Sequence, residues 1–114
     1  MVVLVAFSVL AMISCEPAAS DNMQTLKTLY KTYDNGEIAE CIHEGKVVYC
    51  AGHNGYDAGS TVYDRDGNVI GTCSYAWGPV DTICGQLTEC EVIYRVKDNI
   101  WGQPAVDKYN LKRW

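Results

Sequence analysis

Two histidines and six cysteines are the residues of this 114-residue chain that are best suited to chemistry. Cys50 and His53 are three positions apart, and a thiol activated by a nearby imidazole is the nucleophile of many thiol-dependent enzymes and redox proteins. The chain lacks the Gly-x-Ser-x-Gly sequence that exposes a nucleophilic serine on a sharp turn. A cysteine held in a disulfide cannot attack a substrate, so we assign no catalytic residue and keep the thiol pair as an alternative.

Metal-binding patterns in the sequence fail on their spacing. Residues 64–68, Asp-Arg-Asp-Gly-Asn, look like part of a calcium loop, but alignment on the glycine puts Val62 and Cys73 at the first and last ligand positions. Neither side chain supplies a carboxylate oxygen, so we interpret this stretch as a turn and not as a calcium-binding loop. His43 and His53 lie near cysteines without the spacing of a zinc site. We expect no metal and no other cofactor.

The hydrophobic pattern predicts one helix at the start of the mature chain. Asp21 or Ser20 can cap it, and Asn35-Gly36 ends it. Its apolar residues fall on one face: Met23, Leu26, Leu29, Tyr30 and Tyr33.

Strands follow the helix, at 38–43, 46–51, 60–64, 68–73 and 88–97. Asp66-Gly67 is a strong hairpin signal because both residues tolerate positive φ. In the last strand Ile93 alone interrupts the polar side, and the core side is formed by Cys90, Val92, Tyr94 and Val96. A short helical turn begins at Gly78-Pro79, and the tail from Asn99 is predicted as coil. We therefore expect an α+β fold, with the helix packed on a small antiparallel sheet of four or five strands and stapled by disulfides.

The first hairpin can adopt two registers, and only one of them allows a disulfide across it. A turn at Glu44-Gly45 leaves Cys41 and Cys50 on a diagonal of about 7–8 Å, out of disulfide reach. A turn at Gly45-Lys46 puts Cys41 opposite Cys50, within reach. We predict this second register and a Cys41–Cys50 disulfide, because glutamate is a poor residue at positive φ. The pairing of three further cysteines stays open: Cys73, Cys84 and Cys90.

The glycine-rich segment Gly52–Gly59 is the best candidate for ligand binding, the alternative being a solvated connection rich in turn-forming residues. It is a loop between rigid strands, which is where binding residues concentrate. The chain also has eight Tyr and three Trp, and aromatic side chains with a polar tip suit interfaces as well as the core of a small domain. The candidate ligand-binding residues are His53, Asn54, Tyr56, Asp57 and Trp77.

The N-terminal segment predicts export. Its apolar stretch, Val2–Ile13, is too short to span a bilayer comfortably but has the length of a signal-peptide core. It leads to Cys15, and this arrangement resembles a bacterial lipoprotein signal. The resemblance implies removal of residues 1–14, acylation of Cys15 by a chain such as palmitate, and a place at the outer membrane or cell surface. The alternative is cleavage after Ala18 or Ala19, which makes the protein freely secreted.

Length and charge limit the remaining possibilities. Residues 15–20 have the composition of a tether, and residues 21–114 suffice for one extracytoplasmic domain. All charged residues follow Cys15 and the net charge is −5, so we expect no nucleic-acid partner, because phosphate binding requires a concentrated basic face. The expected partners are the membrane, through lipid on Cys15, and an extracellular protein, peptide or glycan.

A further resemblance concerns residues 62–73, Val-Tyr-Asp-Arg-Asp-Gly-Asn-Val-Ile-Gly-Thr-Cys. Together with the lipoprotein-like start, they resemble the small uncharacterised lipoproteins of Bacteroidetes-type bacteria, whose domain carries a Tyr-Asp-x-Asp-Gly-Asn hairpin and then a cysteine. The similarity covers about residues 37–97 and carries over no catalytic residue. We expect a lipid-anchored extracytoplasmic binding or interaction module of unknown ligand, one type of which is an inhibitor. The alternative is a small extracytoplasmic thiol-dependent enzyme or redox protein.

The intact mass of the protein, produced in a bacterial host with its own N-terminus, tests the lipid anchor. We expect a mature chain that begins at Cys15 and carries acyl chains, because the signal resembles that of a lipoprotein. A mass that begins after Ala18 or Ala19 would contradict the anchor and identify a freely secreted protein.

Overall fold

The structure, a computed structural model, describes residues 17–56, 58–74 and 80–114, and for 17–21 the backbone only. One helix, α1 (Pro17–Tyr33), packs on a six-stranded antiparallel sheet with the strand order β4-β3-β2-β1-β5-β6. The strands are β1 (Gly36–His43), β2 (Lys46–His53), β3 (Ser60–Asp64), β4 (Val69–Cys73), β5 (Thr88–Arg95) and β6 (Val106–Asp107). The α+β prediction is confirmed. No helix in this part of the chain is long and apolar enough to cross a membrane.

The number of strands differs from the prediction of four or five. The additional strand, β6, comes from the tail that we predicted as coil. It has only two residues, which pair with Tyr94 and Arg95 of β5. So short a strand carries no detectable alternation, which explains why the sequence did not reveal it.

Helix α1 begins earlier than predicted. It starts at Pro17 rather than near Asp21, so the predicted tether, 15–20, is helical from Pro17 onward. Proline is favoured at the first helical position because its missing N–H group would have no partner there. The helix ends at Tyr33, just before the predicted stop at Asn35-Gly36, and its apolar face buries Leu26, Leu29 and Tyr33 against the sheet.

The register of the first hairpin is not the one we predicted. His43 pairs with Lys46, so the turn is Glu44-Gly45, with φ angles of 52° and 75°. A two-residue turn with both φ angles positive matches the twist of the flanking strands, and this advantage exceeds the cost of about 1–2 kcal/mol for a left-handed glutamate. Cys41 therefore faces Val48, and no Cys41–Cys50 bond stabilises the other register.

Two disulfides cross-link the domain. Cys41 of β1 is bonded to Cys90 of β5, and Cys73 at the end of β4 is bonded to Cys84. The predicted Cys41–Cys50 disulfide is wrong, and Cys50 is a free, partly buried thiol. Disulfides of this kind indicate a compartment other than the cytoplasm.

The sheet has a core on each of its faces. The face under α1 contains the larger one, in which Ile38, Tyr49 and Ile93 are fully buried. On the opposite face a smaller cluster is covered by the 3-10 turn Thr82–Gly85, which the second disulfide ties to β4. That cluster contains Cys41, Val48, Val62 and Cys73, with Cys50 and Ile83 at its margin.

A β-bulge in β5 corrects the simple alternation that we predicted for this strand. Ile38 of β1 pairs with Tyr94 and Ala39 pairs with Val92, which leaves Ile93 as the extra residue. Ile93 and Tyr94 are both buried in the core under α1. Ile93, the apolar residue that interrupts the polar side of this strand in the sequence, thus belongs to the core.

A non-reducing peptide map tests the disulfides, with the expected pairs Cys41–Cys90 and Cys73–Cys84 and a free Cys50. The two bonds span 49 and 11 residues of chain. Replacing each pair by alanine should lower the free energy of unfolding by about 4 and about 3 kcal/mol, because the longer loop constrains the unfolded chain more. Cys50→Ala is the control and should cost far less in urea unfolding. A peptide linked through Cys50 would contradict the assignment.

Candidate functional site

Most of the predicted ligand-binding residues lie at one end of the sheet. Strands β2, β4 and β5 end there and strands β1, β3 and β6 begin there, because neighbouring strands are antiparallel. We call this the loop end and define it by residues 34–35, 53–56, 58–59 and 96–105. His53, Asn54 and Tyr56 lie in it, whereas Asp57 and Trp77 lie outside the described residues.

Asn54 connects two loops of the loop end. Its Oδ1 atom accepts a hydrogen bond of 2.7 Å from the backbone N–H of Ile100. Its own backbone N–H donates to the carbonyl of Asn35, at 3.2 Å. Asn54 therefore positions the loops, and its side-chain oxygen is already engaged within the protein.

Asn99 fixes the loop between β5 and β6. The residue is 8% exposed. Its Nδ2 atom donates to the carbonyls of Val96 and Gln103, at 2.7 and 2.8 Å, and its Oδ1 accepts from the Gln103 N–H at 3.0 Å. Asn99 was not among the predicted site residues, and the signal that could have revealed it is Asn99 followed by Gly102, a turn-forming pair in the tail.

Two aromatic side chains are exposed on the loops that these asparagines hold. Tyr56 is 86% exposed and Trp101 is 40% exposed. Their loops are joined by the Asn54–Ile100 hydrogen bond. An exposed aromatic side chain on a fixed backbone offers a large contact area at little entropic cost.

His53 marks the boundary between the loop end and the core. Its ring packs on that of Tyr33, with the ring centroids 4.8 Å apart and the planes 34° apart. The hydroxyl of Tyr33 in turn shares a hydrogen bond of 2.6 Å with the hydroxyl of Tyr63. The imidazole is thus supported from below by the core and is exposed on its outer side.

The structure does not bring Cys50 and His53 together. Cys50 borders the cluster on the face opposite α1, whereas His53 packs on Tyr33 from α1. The two side chains therefore lie on opposite faces of the sheet. The alternative of a thiol-dependent enzyme loses the imidazole that would have activated its nucleophile.

The calcium-like stretch is a turn, as predicted. Asp64 Oδ1 accepts hydrogen bonds of 2.9 Å from the backbone N–H groups of Asp66 and Asn68, and Oδ2 accepts one of 3.1 Å from the Asn68 side chain. These bonds hold the pKa of Asp64 below its usual value, and the bond from the Asn68 backbone N–H has the largest effect. Across the described residues no cluster of three metal-binding side chains occurs.

Comparisons of the chain with protein-family models, with curated proteins and with solved structures gave no match. They therefore assign no role to any residue. Function is inferred from the geometry of the loop end, and the resemblance to small bacterial lipoproteins stays a prediction.

Replacing Asn54 by alanine tests its positioning role. The change leaves the Ile100 N–H without its partner, so the free energy of unfolding should fall by about 1–3 kcal/mol. Hydrogen exchange at the Ile100 amide should become faster. Asn54→Asp is the matched control, since it keeps an acceptor oxygen and should preserve protection. Unchanged exchange in the alanine variant would contradict the role.

Proposed function

We propose that the protein is a lipid-anchored, extracytoplasmic interaction module that binds a protein partner through Tyr56 and Trp101. The observation that carries this proposal is the exposure of both aromatic side chains on two loops that are hydrogen-bonded to each other. Tyr and Trp are the residues that most often dominate the binding energy of protein interfaces. Their loops are also held before binding, which lowers the entropic cost of association.

The polar groups around these aromatics favour a protein partner over a glycan. Recognition of a sugar requires free donors and acceptors that can meet its hydroxyls. The Asn54 and Asn99 side chains are instead turned to the backbone, where they bind the loops. Tyr56 and Trp101 are the exposed large hydrophobic residues of the loop end, and exposed polar residues such as Asp34, His53 and Asp98 lie on the same loops. Aromatic contacts with a polar rim are the composition of a protein interface.

The proposed extracytoplasmic location is consistent with the two disulfides. The two disulfides support an oxidising compartment, and acylation of Cys15 would hold the domain at the outer membrane or cell surface. A disulfide-stapled domain with rigid exposed loops also suits an inhibitor, with an extracellular hydrolase as one class of partner. The resemblance to bacterial lipoproteins supports the same location.

The double variant Tyr56→Ala/Trp101→Ala tests this surface. Immobilised full-length protein is incubated with an envelope extract of cells that produce it, and the retained protein is then purified and its affinity measured. We expect the double variant to bind more weakly, with a dissociation constant raised by roughly a hundredfold, because truncation of an interface hot spot costs about 2 kcal/mol or more.

Trp114→Ala provides the matched control. Trp114 is 45% exposed but packs against Lys27 of α1, outside the loop end. Its loss should leave the affinity within about twofold. Equal retention by wild type and the double variant would overturn the proposal, and so would retention that survives protease digestion of the extract, which would identify a glycan.

A further inference from the structure

A cavity of about 410 Å³ lies between β5, β6 and the C-terminal 3-10 turn, Leu111–Arg113. This volume falls within the range of about 300–1,000 Å³ that is typical of sites for small molecules. Apolar side chains contribute part of its wall: Val96, Ala105 and Val106. Neither Tyr56 nor Trp101 lines it, so this site goes beyond the proposed function.

Cationic side chains are concentrated at this cavity. The chain has a net charge of −5, yet three of its nine Lys and Arg residues line this one space: Arg95, Lys97 and Lys112. Arg95 Nε donates to Glu37 at 2.6 Å and its Nη1 to the Pro104 carbonyl at 3.2 Å, so this guanidinium is fixed and neutralised. Within the described ranges neither Lys97 nor Lys112 forms an ion pair.

One carboxylate, that of Asp107, also lines the cavity. Its Oδ1 accepts a hydrogen bond of 2.6 Å from the Leu111 N–H, and its Oδ2 accepts one of 3.1 Å from the Lys112 N–H. Asp107 thus orients the turn that carries Lys112. With the Arg95–Glu37 pair neutral, two lysines and one aspartate leave a single positive charge. That balance suits a monoanion better than a phosphate dianion.

We propose that this cavity binds a small amphiphilic carboxylate. The anionic head lies between the ammonium groups of Lys97 and Lys112, and a short aliphatic body lies on Val96, Ala105 and Val106. Two sources supply this chemistry: a free aliphatic acid, or the C-terminal carboxylate of a peptide with an apolar last residue. Both place one negative charge next to a small apolar group, which is what the cavity offers.

An NMR titration of the full mature chain tests the proposal with defined probes. Hexanoate represents the free acid, and N-acetyl-alanyl-leucine represents the peptide terminus. Hexanamide and the corresponding peptide amide are their uncharged counterparts. We expect saturable shifts at the amides of Val96, Ala105 and Lys112 with at least one acid, and none with its amide.

Charge variants locate the binding of the head group. Lys97→Gln/Lys112→Gln should raise the dissociation constant roughly tenfold, because it removes two exposed ion pairs with the head group, each of which contributes modestly in water. Lys31→Gln/Lys46→Gln removes the same charge from two exposed lysines elsewhere and should leave the affinity unchanged.

The outcomes separate the sources and can overturn the proposal. Binding of hexanoate alone identifies a free acid, and binding of the peptide alone identifies a C-terminal segment. Equal binding of the amides, shifts that map outside the cavity, equal weakening by both lysine pairs, or the absence of saturable shifts with both acids would each overturn it. None of these results depends on the loop-end aromatics, so the proposal can fail without affecting the proposed function.

Discussion

The pairing of β1 with β2 on one side and β5 on the other is the constraint on which the rest of the structure depends. It buries Ile38 completely under α1 and places Cys41 on the opposite face, where the bond to Cys90 ties β1 to β5. The cross-link joins residues that are 49 positions apart, so it restricts the unfolded chain as well as stabilising the centre of the sheet. Because β2 and β5 end where β1 begins, their loops emerge side by side.

Tyrosine provides much of the aromatic core, since Phe7 is the single phenylalanine in the chain and precedes the domain. A buried tyrosine requires a partner for its hydroxyl, and several find one at the edge of the core: Tyr33 with Tyr63, Tyr94 with the Asp34 carbonyl, and Tyr109 with Glu40. Tyr49 is the exception, because its fully buried hydroxyl has no hydrogen-bond partner among the described residues. Burial, and after it the charge of Glu40, raises the Tyr49 pKa well above its usual value. An unpaired hydroxyl costs about 1–3 kcal/mol, which the buried ring offsets through the apolar area that it removes from water.

Local patterns were sufficient to predict α1, the first five strands and the Asp66-Gly67 hairpin, because each depends on neighbouring residues. Features that depend on distant residues were not predictable in the same way. The Cys41–Cys90 bond requires β5 to lie beside β1, and the bulge at Ile93 is stabilised by the core under α1. The loop end was predicted in part, since His53, Asn54 and Tyr56 lie there. Asn99 was not predicted, and Trp101 was not among the predicted ligand-binding residues, because the tail has no regular period. The hydrogen bonds that order the tail run from one side chain to three backbone groups.

Two kinds of side chain in the domain bear on binding: polar side chains that hold the backbone, and side chains that face outward without an assigned contact. Asn54, Asn99, Asp64 and Asp107 belong to the first group, since each uses its oxygens or its amide on nearby main-chain groups. These polar atoms fix the geometry of the loops, and they cannot also recognise a ligand without breaking a loop. The aromatic rings of Tyr56 and Trp101 and the ammonium groups of Lys97 and Lys112 belong to the second group. The β5–β6 segment brings the two groups together: Asn99 holds the loop that has Trp101 at its tip, while Lys97 and Ala105 at its base line the cavity. A loop fixed so firmly by one buried asparagine can present an aromatic contact outward and a charged cavity at its side, and this is why we propose binding at this end of the sheet.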